Sequence, residues 1–141
     1  KDFKFFYENL KYFELINNID NQDETYFPHS KLIQYYKISD LYVNLSRIES
    51  FGITYLESLA SKVPIISYVS KGSNEIIINN FNGFLISSNN ENEFVNKILE
   101  LSYNKKLIYG MKKNCSNSIE KFDLNTIISK LIVTYEQVKK F

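Results

Sequence analysis

A chain of 141 residues, 44% hydrophobic and 23% charged, has the balance of an ordinary globular domain, long enough for one real core and too short for two. A net charge of +1 argues against a nucleic-acid-binding stripe, and no run reaches the roughly 18 apolar residues of a membrane-spanning helix. One cysteine, Cys115, excludes an internal disulfide framework and suits a reducing compartment, so a cytoplasmic location is expected. The amino end, Lys1-Asp-Phe-Lys, has no signal-peptide pattern and no starting methionine, so a piece of a longer chain is expected.

Taken in chain order, Phe6, Leu10, Phe13 and Ile16 fall at helical spacing within residues 3–17, and 17–24 is a polar loop. Thr25-Tyr-Phe27 is a short strand candidate closed by Pro28, and Ser30 is expected to cap a helix from Lys31 to about Ile38. Leu41 to Leu45 reads as a buried strand, 54–61 as a helix, and Pro64 opens a third strand through Tyr68. Asn74 to Ile78 gives one or two helical turns, and Phe84 to Ile86 a fourth strand. Asn90 caps a helix from Glu91 to Leu101, and two further helices follow at about 104–121 and 123–139. Strands alternating with helices imply parallel pairing, right-handed crossovers and an α/β, doubly wound parallel sheet, with the last two helices covering it. The whole of 1–141 is expected to be a single domain.

The most informative stretch is Glu49-Ser-Phe-Gly-Ile-Thr-Tyr-Leu-Glu57, two carboxylates with seven residues between them. It lies where a strand hands over to a helix, and open α/β sheets bind ligands at the carboxyl ends of their strands. Backbone N–H groups of Phe51, Gly52, Ile53 and Thr54, with the helix dipole, favour an anion there, phosphate above all. Gly52 removes a Cβ, so that a ligand can approach closely. Glu49 and Glu57 are acceptors suited to hydroxyl groups. A phosphate seat flanked by two hydroxyl acceptors suits a nucleotide sugar. The plain alternatives are an exposed loop carboxylate for Glu49 and a first-turn glutamate favoured by the helix dipole for Glu57.

This segment resembles the signature of the family 4 retaining glycosyltransferases, the glycosyl transferases group 1 of GT-B fold. The likeness extends in register through Asp40-Leu-Tyr-Val-Asn-Leu-Ser-Arg-Ile-Glu49, Ser58-Leu-Ala-Ser-Lys-Val-Pro-Ile-Ile66, Lys71-Gly-Ser-Asn-Glu-Ile-Ile77, Asn82-Gly-Phe-Leu-Ile86 and the closing Phe122-Asp123 helix. It implies the Rossmann-like second domain of such a fold, incomplete at its start, which holds a nucleoside diphosphate sugar without a metal or other cofactor. Glu49 would then accept hydroxyls of the donor sugar and Glu57 both ribose hydroxyls, while Phe51 to Thr54 offer backbone N–H groups to the sugar and diphosphate. A carbohydrate, lipid or protein acceptor would be bound by a first domain absent from this chain, and the intact enzyme could sit peripherally on the inner face of a membrane.

The resemblance assigns no certain catalytic residue here. The only histidine, His29, does not inherit the family's catalytic histidine, which belongs to the first domain; by position the loop Phe27 to Lys31 could lie near the nucleobase. Gly72 and Glu75 are expected to shape and cap the loop and helix after the third strand. Leu45 stands where the family has proline, Lys62 where a glycine is usual, and the Arg/Lys pair that neutralises diphosphate would lie upstream of Lys1. The rival readings are a non-catalytic GT-B partner protein, against which both glutamates and Gly52 are intact, and a nucleotide-sugar epimerase of related fold.

Overall fold

The computed structural model describes residues 29–139, so the helix expected at 3–17, the polar loop after it and the strand at 25–27 lie outside the described residues. By its contacts the chain divides into units Lys1–Leu32 and Ile33–Phe141, and the architecture below is that of the second. Helix α1 (His29–Ile38) is followed by β1 (Tyr42–Asn44), α2 (Ile53–Ala60), β2 (Ile65–Tyr68), α3 (Lys71–Ile76), β3 (Gly83–Ile86), α4 (Glu91–Tyr103), α5 (Lys105–Ser118), a 3-10 turn (Glu120–Phe122) and α6 (Leu124–Val138).

The three strands form one parallel sheet in the order β1-β2-β3, with Tyr42 opposite Ile65 and Ile65 opposite Gly83. Each crossover carries a helix, as parallel strands require. All four β2 residues are buried, as the central strand of a sheet covered on both faces should be. Side chains alternate across β2: Ile66 and Tyr68 join Phe84, Ile86, Phe94 and Leu101 on the α4 side. Ile65 joins Tyr55, Leu59 and Ile76 on the α2–α3 side. Helix α5 serves both clusters, through Ile108 and Met111 to the first and Cys115 to the second. It runs along the amino edge of the sheet, where Lys112 donates to Asp40 before β1 and Asn114 to the Phe81 carbonyl before β3. A fully buried Leu such as Leu59 is worth about 1.5–3 kcal/mol of hydrophobic transfer.

Five expectations change. The strand read as buried from Leu41 to Leu45 is Tyr42–Asn44 at the end of the three-strand order, with Val43 40% and Leu45 59% exposed. Ser30 is not a cap and Phe27 to Lys31 is not a loop throughout, because the α1 helix already runs at His29. Helix α3 begins three residues before Asn74, since a reciprocal Ser70–Ser73 capping box starts it and Lys71 and Gly72 fall inside its first turn. The helix expected at 104–121 ends at Ser118 and tightens into the 3-10 turn. Finally, α6 does not cover the sheet: none of its residues is buried, and Ile127, Ile128, Leu131 and Ile132 are 40–52% exposed. Periodicity names the apolar face of a helix and not what lies against it.

Candidate functional site

The site starts where β1 runs out. The Asn44 side chain accepts a hydrogen bond from the Ser46 N–H at 2.7 Å, an Asx turn that ends the strand. The loop then crosses the carboxyl edge of the sheet with Leu45 and Ile48 exposed. Arg47 pairs with Glu91 of α4 at 3.1 Å, both side chains mostly in water, so this pair adds little stability.

Gly52 closes the loop and is the N-cap of α2. Its φ of +91° is left-handed, and a Cβ there would run into the Tyr55 ring, so only glycine fits. Glycine also leaves the helix end uncapped: the N-cap position has no side chain to accept from the first N–H groups of α2. By contrast Ser70, Asn90, Asn104 and Asp123 cap α3, α4, α5 and α6 with their side chains. The first N–H groups of a helix have no partner within it, so those of Ile53 and Thr54 point outward at the sheet's carboxyl edge.

The loop is held from both sides. The N–H of Gly72, in the first turn of α3, donates to the Glu49 carbonyl at 2.9 Å. The two segments are so close that a Cβ on Gly72 would stand 2.9 Å from the Glu49 carbonyl oxygen and from the backbone N and O of Phe51. Gly72 thus shapes the Glu49–Phe51 loop by letting α3 abut it, whereas the loop expected of it was its own, after Tyr68. The Phe51 ring meets Phe122 edge-on, centroids 5.8 Å apart, and stays 42% exposed, a packing role for the side chain. Beneath the helix end, the buried Tyr55 hydroxyl and Ser67 Oγ share a hydrogen bond of 2.9 Å. Burial raises the Tyr55 pKa; the Ser67 bond opposes this, and the negative charge of Glu49 adds to it.

Glu49 and Glu57 are both half-buried. Glu57 is the fifth residue of α2, in its second turn, and the first turn holds no acidic residue. A dipole origin for Glu57 therefore loses force, because that field fades beyond the first turn. Sequence reasoning missed Tyr36 of α1, whose hydroxyl reaches Glu57 Oε2 at 3.5 Å and the Thr54 carbonyl at 3.4 Å. Burial, then the neighbouring Tyr42 and Glu57, push the Tyr36 pKa well above that of an ordinary phenol, so it remains a donor. Its only signal was a place on the apolar face of α1. His29 lies within α1 rather than in a loop.

The comparisons fit this geometry. Residues 8–122 match the family described as Glycosyl transferases group 1. An uncharacterized glycosyltransferase of Methanocaldococcus jannaschii is 33% identical over 93 residues, covering 66% of this chain and 26% of its own length. The alpha-monoglucosyldiacylglycerol synthase of Streptococcus pneumoniae is 30% identical over 130 residues, covering 82% of this chain and 29% of its own. The Anabaena protein HepE, solved in complex with UDP-glucose, superposes with a TM-score of 0.66 at 23% identity, over 74% of this chain and 29% of HepE, a likeness of Rossmann-like fold. The chain thus spans little more than a quarter of these proteins. It belongs to the glycosyl transferases group 1 family.

Proposed function

We propose that this chain is the donor-binding part of a retaining glycosyltransferase that moves a sugar from a nucleoside diphosphate sugar to an acceptor hydroxyl. The observation that carries the reading is the uncapped, glycine-initiated end of α2 at the carboxyl edge of the sheet, with Glu49 before it and Glu57 after it. The diphosphate would lie on the N–H groups of Phe51 to Thr54. Glu57 would take the two ribose hydroxyls as a bidentate acceptor, and Glu49 the hydroxyls of the sugar. That HepE was solved with UDP-glucose supports a donor of this class.

The departing diphosphate gains charge as the glycosidic bond breaks. Preorganised N–H donors and the α2 dipole act more strongly on it then than in the ground state, which is the source of rate acceleration. In this reading no metal or other cofactor is required, the glutamates position substrate rather than exchange protons, and the acceptor belongs to a domain outside this chain.

The test uses the complete enzyme. Glu57→Ala should weaken nucleoside diphosphate binding by about 1.5–3 kcal/mol, the range for hydrogen bonds to a charged group. A 2′,3′-dideoxy nucleotide should bind wild type and variant alike. Glu49→Gln should leave affinity for the bare nucleotide near wild type while kcat/KM falls roughly tenfold to a hundredfold. A Glu57→Ala protein that still prefers the ribonucleotide in calorimetry would overturn the assignment.

A further inference from the structure

The overall charge of +1 conceals a local excess. In α5 the run Lys105-Lys-Leu-Ile-Tyr-Gly-Met-Lys-Lys113 sets two lysine pairs seven residues apart with Tyr109 midway, and the helix holds no carboxylate. Seven residues is two helical turns, and three or four lead from each pair to the tyrosine, so the five side chains share one broad face. It lies away from Ile108, Met111 and Cys115, which α5 buries. Lys62, in the turn before β2, adds a fifth lysine and lines one recess with Tyr109, Lys112 and Lys113. Among the described residues only Lys112 of these five is in an ion pair, with Asp40 at 2.7 Å. Lys113 sits 4.7 Å over the Tyr109 ring.

A second recess, of about 490 Å³, shares Tyr109 and Lys112 with the first. It adds Lys105, an apolar lining from Leu41, Ile98, Leu101 and Ile108, and the Asp40 carboxylate that Lys112 neutralises. Tyr109 is 62% exposed and Tyr103, at the α4–α5 corner, 87%. Asp40, Leu41 and Lys62 all precede strands, so the band occupies the amino edge of the sheet, opposite the Glu49–Glu57 edge.

We propose that this face of α5 docks on an anionic phospholipid bilayer. The lysines meet the lipid phosphates, the two tyrosines lie at headgroup level, and the apolar recess faces the acyl boundary. Unpaired lysines crowded on one face repel one another, and a polyanionic plane relieves that repulsion. Nucleic acid fits less well. The band has no arginine fork for bidentate phosphate or base contacts, Lys113 occupies one face of the Tyr109 ring, and the leucines and isoleucines of the recess offer nothing to a phosphate backbone. A bilayer at the amino edge leaves the carboxyl edge open to a water-soluble ligand. The proposal stands independently of the roles given to Glu49 and Glu57.

The experiment is vesicle sedimentation with the complete protein that contains this chain, against phosphatidylglycerol–phosphatidylcholine and pure phosphatidylcholine vesicles. Binding is expected to the anionic vesicles, weakening with salt. Lys105→Gln/Lys106→Gln/Lys112→Gln/Lys113→Gln should cut the partition coefficient at least about tenfold. Four arginines at these positions should keep it. Lys37→Gln/Lys130→Gln/Lys139→Gln, which removes charge elsewhere, should keep it within about twofold. Circular dichroism melts confirm folding, and if the four-glutamine protein is unfolded the double Lys105→Glu/Lys106→Glu takes its place. Equal binding to both vesicle types, an unchanged four-glutamine protein, or an equal loss from the distant triple variant would each overturn the proposal. So would tighter lysine-dependent binding to single-stranded RNA.

Discussion

The hydroxyl of Tyr36 reaches the Glu57 carboxylate at 3.5 Å and the Thr54 carbonyl at 3.4 Å, tying α1 to the opening turns of α2. Both contacts are long, and such bonds often tighten only when ligand is present. Tyr36 is 5% exposed, with its ring edge-on to Tyr42 at 5.7 Å, so the phenol is fixed before any ligand arrives. Tyr36→Phe keeps the ring packing and removes only the hydroxyl. Nucleotide affinity should fall by about 0.5–1.5 kcal/mol, the usual worth of one hydrogen bond, with the melting temperature little changed. Wild-type affinity in calorimetry would show that the hydroxyl does not orient Glu57.

Gly52→Ala attacks the same helix end through its backbone. A non-glycine residue at φ +91° costs roughly 1–2 kcal/mol, and the new methyl group must also displace the Tyr55 ring, whose hydroxyl is bonded to Ser67. Urea unfolding should register a loss above the backbone figure alone, and donor binding should fall with it. Unchanged stability would mean that α2 can start by another route.

Local signals carried much of this fold. Asn90 announced a helix start as a cap and is one in the structure, and the helix starts expected at about 104 and 123 fall on Asn104 and Asp123, which are caps too. The Ile65–Tyr68 strand was legible as a short apolar run behind Pro64, and its burial on both faces follows from parallel pairing. The Glu49–Glu57 stretch could be placed at a strand-to-helix junction, and it is there. What could not be read were contacts between distant segments. Tyr36 to Glu57 spans 21 residues, and nothing local ties the tyrosine to the glutamate. The close approach of Gly72 to Glu49 and Phe51 was hidden because the Ser70–Ser73 capping box that aims α3 looked like loop sequence. That α6 leaves the sheet uncovered was hidden for the complementary reason: what lies against a helix is not encoded in its own period.

Gly72→Ala should disturb the loop without touching its carboxylates. The added methyl group would meet backbone atoms of Glu49 and Phe51 at 2.9 Å, and backbone cannot swing aside as a side-chain tip can. The loop must shift by a fraction of an ångström. Small misplacements at a reacting centre cost up to about a hundredfold in rate, so kcat/KM of the complete enzyme should drop far more than stability does. A rate within twofold of wild type would show that the loop position is not critical.

Cys115 gives a pH-dependent outcome. It is fully buried, and burial pushes its thiol up to about 11 from an ordinary 9.0. Alkylation at pH 8 should therefore be at least roughly a hundredfold slower in the folded protein than in urea, from the thiolate fraction alone. The sign for stability follows from a folded pKa above the unfolded one. The contribution is whole below the unfolded pKa near 9.0 and is lost as pH rises through about 11. Cys115→Ser should flatten that alkaline decline. Fast alkylation at neutral pH would contradict the burial.

Gly110→Ala should stabilise the protein. Gly110 sits inside α5, is not among the residues with positive φ, and a Cβ there would meet nothing within 4 Å. Neither of the reasons that hold Gly52 and Gly72 in place applies. Alanine removes backbone freedom from the unfolded chain and adds a better helix former, worth about 0.5–1 kcal/mol. The expected result is a higher urea midpoint with an unchanged slope, which places the gain in stability rather than in the surface exposed on unfolding. The methyl group is small beside the lysine side chains around Tyr109, so partition onto anionic vesicles should remain at wild-type level. A lower midpoint would show that the outer face of α5 meets a surface that leaves no room for a methyl group.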